Sequence, residues 1–155
     1  MLRIAKATTD KDIKMVKMLF AEYADSLDFG LDFQDFEEEL ANLPGGYAPP
    51  SGCLLLAKYK DQLAGCVALR QISEEVCEMK RLYVRPEFRC LGIGRALAQA
   101  IIEQARRIGY IYMRLDTVPS MEIARTLYTS LDFKQISPYR HNPIEGAVFM
   151  ELKLV

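Results

Sequence analysis

Hydrophobic positions along this chain change period several times, and each change marks an element. Residues 3–7 alternate apolar and polar, which predicts a short strand. Thr8-Thr9-Asp10 offers capping side chains, and Ile13, Val16, Leu19, Phe20, Tyr23 and Leu27 then recur at helical spacing. Phe33, Phe36, Leu40 and Leu43 predict a second helix. Residues 44–52, rich in proline and glycine, form a loop long enough to border a site. Three apolar runs follow, at Cys53–Tyr59, 63–71 and Val76–Val84, joined by links short enough for antiparallel hairpins. A helix over about 92–107 carries Leu97, Ala98, Ile101, Ile102, Ala105 and Ile108 on one stripe, and Gly109 ends it. Residues 111–117 then form a strand parallel to the earlier one, since a whole helix intervenes. Pro119-Ser120 opens a helix running through Leu131, and strands at 133–136 and 147–154 close the sheet around a polar loop at 137–146. The sum is an α/β (α+β) chain with a mixed sheet: hairpins, a parallel crossover, then an antiparallel pair.

Composition narrows this picture. A chain of 155 residues, half of them hydrophobic, suits one domain over 1–155 with one core. No apolar run approaches the ~20 residues of a membrane span, and the N-terminus lacks a signal-peptide core. A net charge of −1 gives no support to a nucleic-acid or membrane partner. The four cysteines form no C-x-x-C pair and His141 is the sole histidine, so no metal site is expected. Cys53, Cys66 and Cys77 sit in apolar runs as small hydrophobes, and this usage fits a reducing cytoplasm. Asp35-Phe36-Glu37-Glu38-Glu39 reads as a solvated helix face. Lys80, Arg81, Arg85, Arg89 and Arg95 crowd one stretch and are expected around an anion site.

That stretch, residues 80–97, carries the chemistry. A strand enters a short polar loop, the loop ends in Gly92-Ile93-Gly94, and a helix opens at once. A helix N-terminus exposes unpaired N–H groups and a partial positive charge, and glycines let a bulky anion approach them. Arg95 and Ala96 exclude the Lys-Ser/Thr of a P-loop, and the third glycine of a dinucleotide fingerprint is missing. Instead, Arg89-Cys90-Leu91-Gly92-Ile93-Gly94 resembles the R/Q-x-x-G-x-G/A signature of the GNAT-type N-acetyltransferases. Leu82-Tyr83-Val84-Arg85-Pro86 looks like the end of that family's central strand. The run from Ala124 to Phe133, with Leu127-Tyr128, resembles its A-x-x-L-Y-x-x-x-G-F signature. The order of elements is also similar to that family's. The resemblance spans essentially the whole chain and is strongest from Cys77 to Phe133.

The resemblance implies a mixed sheet of about six to seven strands flanked by about four helices. It also implies transfer of an acetyl group from acetyl-CoA to a primary amine by direct attack in a ternary complex. Backbone groups of Leu82 and Val84 would hold the pantetheine arm, with the Leu82 N–H polarising the thioester carbonyl. Amides of Arg89, Cys90, Gly92 and Gly94 would bind the pyrophosphate, Arg95 would add charge, and Ala124 would line the cofactor site. Tyr128 would protonate the leaving thiolate. Glu78 would act as base, directly or through water, and alternation places it on the same strand face as Leu82. The alternative for Glu78 is an ion pair with a charge such as Lys80 or Arg81. Tyr47, Asp116, Tyr139, Arg140, His141 and Asn142 border the acceptor cleft in the family. The aromatic and cationic mix at 139–142 suits a carboxylate-bearing acceptor; a small metabolite, a peptide N-terminus and a lysine all stay open, as does a homodimer. A longer acyl-CoA, or a non-catalytic acyl-CoA-binding module, are the rival readings. Three positions depart from the family pattern: Cys90 and Asp132 stand where glycine is usual, and Met121 where asparagine is common.

Overall fold

The computed structural model of the chain describes residues 1–27 and 35–155. Its strands are β1 (Leu2–Lys6), β2 (Cys53–Tyr59), β3 (Gln62–Gln71), β4 (Val76–Val84), β5 (Tyr112–Thr117), β6 (Lys134–Ile136) and β7 (Val148–Lys153). Its helices are α1 (Asp10–Ser26), α2 (Phe36–Ala41), α3 (Ile93–Ile108) and α4 (Glu122–Ser130). The strands form one seven-stranded sheet in the order β1-β2-β3-β4-β5-β7-β6. β4 and β5 are parallel, joined through α3, and every other neighbouring pair is antiparallel.

Both faces of the sheet are covered, and this explains the unbroken apolar runs. Cys53, Leu55 and Ala57 of β2 face α3, together with Leu97, Ala98, Ile101, Ile102 and Ala105 of that helix. Leu54 and Leu56, one residue out of phase, face Val16, Leu19 and Phe20 of α1. The helix ends follow from their caps. Thr9 and Asp12 form a reciprocal capping box at the start of α1. α3 runs between two glycines in the left-handed region, Gly92 (φ 79°) and Gly109 (φ 110°).

Element limits differ from the sequence expectation by a residue or two, and three differences carry physical content. The Ile111 amide donates to the Glu75 carbonyl at 2.8 Å, so this residue belongs to the turn before β5. Pro119–Met121 is a separate 3-10 turn, and α4 begins only at Glu122. Leu43 lies beyond the end of α2, although it still packs into the α1-side core. Phe33 falls outside the described residues. The acidic run at α2 is only partly solvated. Glu37 and Glu38 are exposed, but Glu39 pairs with Arg81 at 3.0 Å and accepts from the Tyr47 hydroxyl at 2.8 Å.

β4 carries the irregularity that opens the site. Arg81 sits at φ 59°, and the β3–β4 register slips between Cys66 and Ala68. One residue of β4 is therefore extra, a β-bulge, and the inward-outward alternation reverses across it. Before the bulge, Cys77 and Met79 face α3; after it, Leu82 and Val84 do. Glu78 and Leu82 thus lie on opposite faces of the sheet, contrary to simple alternation. The parallel pairing of β4 with β5 covers only Val76–Glu78 against 112–114. Beyond that point the two strands diverge.

Candidate active site

The divergence of β4 and β5 opens a cavity of about 760 Å³. Residues 79–84 of β4 wall one side and residues 115–118 the other; the loop before α3, one face of α4 and the end of α1 complete it. The volume lies within the ~300–1,000 Å³ range of small-molecule sites.

At one end sits the glycine loop. Gly92 caps α3 without a side-chain hydrogen bond, and the first turn of α3 carries no acidic residue. Its amides are therefore unchallenged by a local carboxylate. A Cβ built on Gly94 would meet only Val84 Cγ2, at an ordinary contact distance of 3.8 Å, and one on Gly92 would meet nothing within 4 Å. Cys90 is exposed and adopts φ 65°, a strained geometry for a side-chain-bearing residue, in a loop that needs a tight turn. Arg89 Nε donates to the Val84 carbonyl at 3.0 Å and so ties the loop to the end of β4. Arg95 donates to Ser130 Oγ at 2.7 Å and ties α3 to α4.

The expected ring of five cations does not form around this loop. Arg85 pairs with Glu22 of α1 at 2.8 Å, and the Arg81 guanidinium pairs with Glu39 beside the Phe36 ring. Lys80, at strand spacing from Glu78, shares the face opposite α3. The reason is the bulge and the two acidic partners on α1 and α2, which draw the Arg85 and Arg81 side chains to themselves. Arg89 and Arg95 are the members of the group that remain at the loop.

On α4, Ala124 and Tyr128 both wall the cavity. Tyr128 is buried, its ring 5.7 Å from that of Phe133, and burial raises its phenol above the ordinary value. Asp132 takes the left-handed position after α4 with φ 74°, the place where glycine is usual. Met121 also walls the cavity and gives α4 no side-chain cap.

The opposite face of the sheet holds a dense polar network. Glu78 is 0% exposed. It accepts from Arg70 Nε at 2.8 Å and from the Tyr139 hydroxyl at 2.6 Å, and it pairs with Arg140 at 2.9 Å. Its ion-pair partners among the described residues are thus Arg70 and Arg140. Arg140 reaches on to Asp116 at 2.8 Å, and Asn142 Nδ2 donates to the same carboxylate at 3.1 Å. Burial opposes the Arg140 charge, but Glu78 and Asp116 outweigh it and hold its pKa above the usual value. The Tyr139 ring packs edge-on against Phe149 at 5.1 Å, with the Arg114 guanidinium 5.3 Å from its centre.

Among the described residues, the cavity wall includes Asp116 and Asn142 but not Glu78, Tyr139, Arg140 or Tyr47. Tyr47 lies in the α1-side core with its hydroxyl on Glu39, so it is a packing residue and not a cleft residue. His141 is exposed. Glu78 is a buried anchor whose oxygens are already engaged, and the direct-base role expected of it does not fit this placement. The wall also holds residues that the sequence did not single out, among them Tyr23 and Leu27 at and just past the end of α1, and Thr117 at the end of β5. Nothing in the periodicity of α1 distinguishes its last turn from the rest. Thr117, a hydroxyl at a position that alternates with Met113 and Leu115, was the one readable signal.

The chain matches known proteins throughout. The profile of the acetyltransferase (GNAT) family matches residues 16–133. An uncharacterized N-acetyltransferase of Schizosaccharomyces pombe is 41% identical over 155 residues, covering 99% of this chain and 95% of that protein. The N-acetylaspartate synthetase of Xenopus tropicalis is 30% identical over 116 residues, covering 74% of this chain and 41% of that longer protein. The structure of PaiA N-acetyltransferase from Thermoplasma acidophilum in complex with coenzyme A superposes with a TM-score of 0.73 over 99% of both chains, at 17% identity, and so shares the fold. With its mixed seven-stranded sheet, the glycine loop opening α3 and these matches, the chain belongs to the acetyltransferase (GNAT) family and is an N-acetyltransferase.

Proposed function

We propose that the chain transfers an acetyl group from acetyl-CoA to the amine of a small, carboxylate-bearing acceptor. The observation that carries this reading is the gap between β4 and β5, with the glycine loop at its mouth. An extended amide chain entering there adds to the free edge of β4 as a strand would. The unblocked backbone at Gly94 suits a pyrophosphate at the N-terminus of α3. Acyl-CoA supplies the activated thioester; the chain binds, orients and moves protons around it. The Leu82 N–H polarises the thioester carbonyl. Tyr128 stays protonated near neutral pH because burial raises its pKa, and it donates to the departing sulfur.

Lys80 is the base this arrangement supports. It walls the cavity, and burial, then the neighbouring Arg81, push its pKa down to about 7. A base of that pKa is matched to a reaction run near neutral pH. Asp116 reaches the cavity and orients the acceptor ammonium. Arg140, outside the wall but paired with Asp116 at 2.8 Å, adds positive charge behind it that favours a carboxylate-bearing acceptor. The likeness to an N-acetylaspartate synthetase supports an amino-acid acceptor.

Thermal unfolding with acetyl-CoA, CoA, ATP and NAD in parallel tests the cofactor. Acetyl-CoA or CoA at ~100 times its Kd should add about 2.7 kcal/mol, and each kcal/mol raises the midpoint by roughly 2–4 °C. Gly94→Asp should unfold like the parent without ligand and lose that shift. A shift with ATP or NAD alone overturns the reading. Release of thiol with aspartate faster than with an uncharged amine of similar size would support the acceptor class, and the reverse order would remove it.

A further inference from the structure

Thr117 ends β5 and is 2% exposed. Its Oγ1 is buried and has no hydrogen-bond partner among the described residues. Buried polar side chains are nearly always partnered, and one left alone carries its full desolvation penalty. The fold itself does not call for this hydroxyl. The Thr117 backbone already pairs with Val148 of β7, and Met113 and Leu115, on the same face of β5, belong to the apolar core beneath α3. Valine has the same shape and fits a strand as well. What distinguishes the position is its place. Arg114 is the last β5 residue paired to β4, and Thr117 lies beyond it, in the cavity wall facing residues 79–84. It shares this side of the sheet with Tyr128, whereas Asp116, one residue earlier, turns to Arg140 and Asn142 on the other.

We infer that the Thr117 hydroxyl is a cosubstrate-binding group, hydrogen-bonded to the pantetheine arm when that arm fills the gap between β4 and β5. This rests on the acyl-CoA reading above. The arm carries amide N–H and C=O groups, and a hydroxyl both donates and accepts, so either satisfies the orphaned oxygen. The hydroxyl is then a group the free protein keeps at a cost and the complex partners.

Calorimetric titration of CoA into the parent, Thr117→Val and Thr117→Ser, beside their ligand-free unfolding, tests this. Thr117→Val should weaken CoA binding about three- to tenfold, the worth of one hydrogen bond. Its ligand-free midpoint should equal or exceed the parent's, because an unpartnered polar group has been removed. Thr117→Ser should keep CoA affinity within about twofold of the parent. A purely structural threonine would move stability and affinity down together. Thr117→Val binding CoA as the parent does overturns the inference and leaves the acyl-CoA reading standing. A ligand-free Thr117→Val less stable than the parent overturns it too, since the hydroxyl would then have a partner within the fold. A parent that binds no CoA overturns both.

Discussion

At Glu78 a single carboxylate organises one face of the site. Its oxygens hold Arg70, Tyr139 and Arg140, and burial together with this carboxylate keeps the Tyr139 phenol above its ordinary pKa, so the hydroxyl remains a donor. Arg140 passes the connection to Asp116 in the cavity wall. A base would need a free oxygen at the cavity, and this one is an anchor for the 139–142 segment. Glu78→Gln keeps the shape but removes the charge that two guanidinium groups share. It should cost about 3 kcal/mol, the lower end for breaking a buried pair because Arg70 is 40% exposed. It should raise the acceptor KM while changing kcat by less than tenfold, whereas loss of a general base costs about 10²–10⁴ in rate. Denaturant unfolding and steady-state kinetics separate the cases: intact stability with kcat down a hundredfold would restore Glu78 as the base. The sequence shows Glu78 as a charge out of place in a covered strand, but Tyr139 lies 61 positions away and no local pattern pairs them.

Between elements, the bulge at Arg81 decides where the site opens and which side chains line it. Without it β4 would present Leu82 to α1 and send the pantetheine-binding edge out of phase with the glycine loop. Gly65 of β3 makes room for the kinked strand. A Cβ there would lie 2.4 Å from the Tyr83 carbonyl oxygen and 3.2 Å from Leu97 Cδ1. Backbone cannot yield as a side-chain tip can. Gly65→Ala should therefore push β4 away from β3, lower stability by about 1–3 kcal/mol and weaken CoA binding by at least fivefold through misplaced strand residues. A melting curve and a CoA titration check this; unchanged affinity in a destabilised protein would mean that the strand edge does not hold the cofactor. The strands, the crossover helix and the glycine loop were legible because each rests on local signals: short apolar runs between turns, period 3.6, and glycine at the left-handed helix caps. The bulge was not. It needs a non-glycine residue at positive φ whose cost is met by Glu39, contributed by a helix about 40 residues earlier. The same cause misled the expectation that Arg81 and Arg85 would surround the phosphate site.

Across the whole molecule, two apolar layers enclose a sheet that also buries charge, and stability must depend on pH accordingly. Lys80 has the largest consequence near neutrality. Burial, then Arg81, with smaller effects of Arg140 and Arg70 and against the pull of Glu78, take its pKa from 10.5 to about 7. Between those values the unfolded chain binds a proton that the folded chain lacks, so stability rises with pH in that window. Below about 7 the lysine is charged in both states and the cost of burying it is fully present; above about 10.5 it is neutral in both and the cost is gone. Buried Cys66, Cys77 and Tyr128 and partly buried Tyr23 act the other way, since their raised pKa values keep them neutral in the fold while the unfolded chain loses protons at alkaline pH. Those contributions are common to the parent and to Lys80→Met and cancel in the difference between them. The stability of the parent relative to Lys80→Met should rise by about 1.4 kcal/mol per pH unit between about 7.5 and 9.5. Urea unfolding of both proteins at half-unit intervals measures this. A difference that stays flat across the window would mean that Lys80 keeps its charge in the folded state. It would then hold its proton through the pH range where the enzyme must accept one from the acceptor amine, and the base would have to be sought elsewhere in the cavity wall.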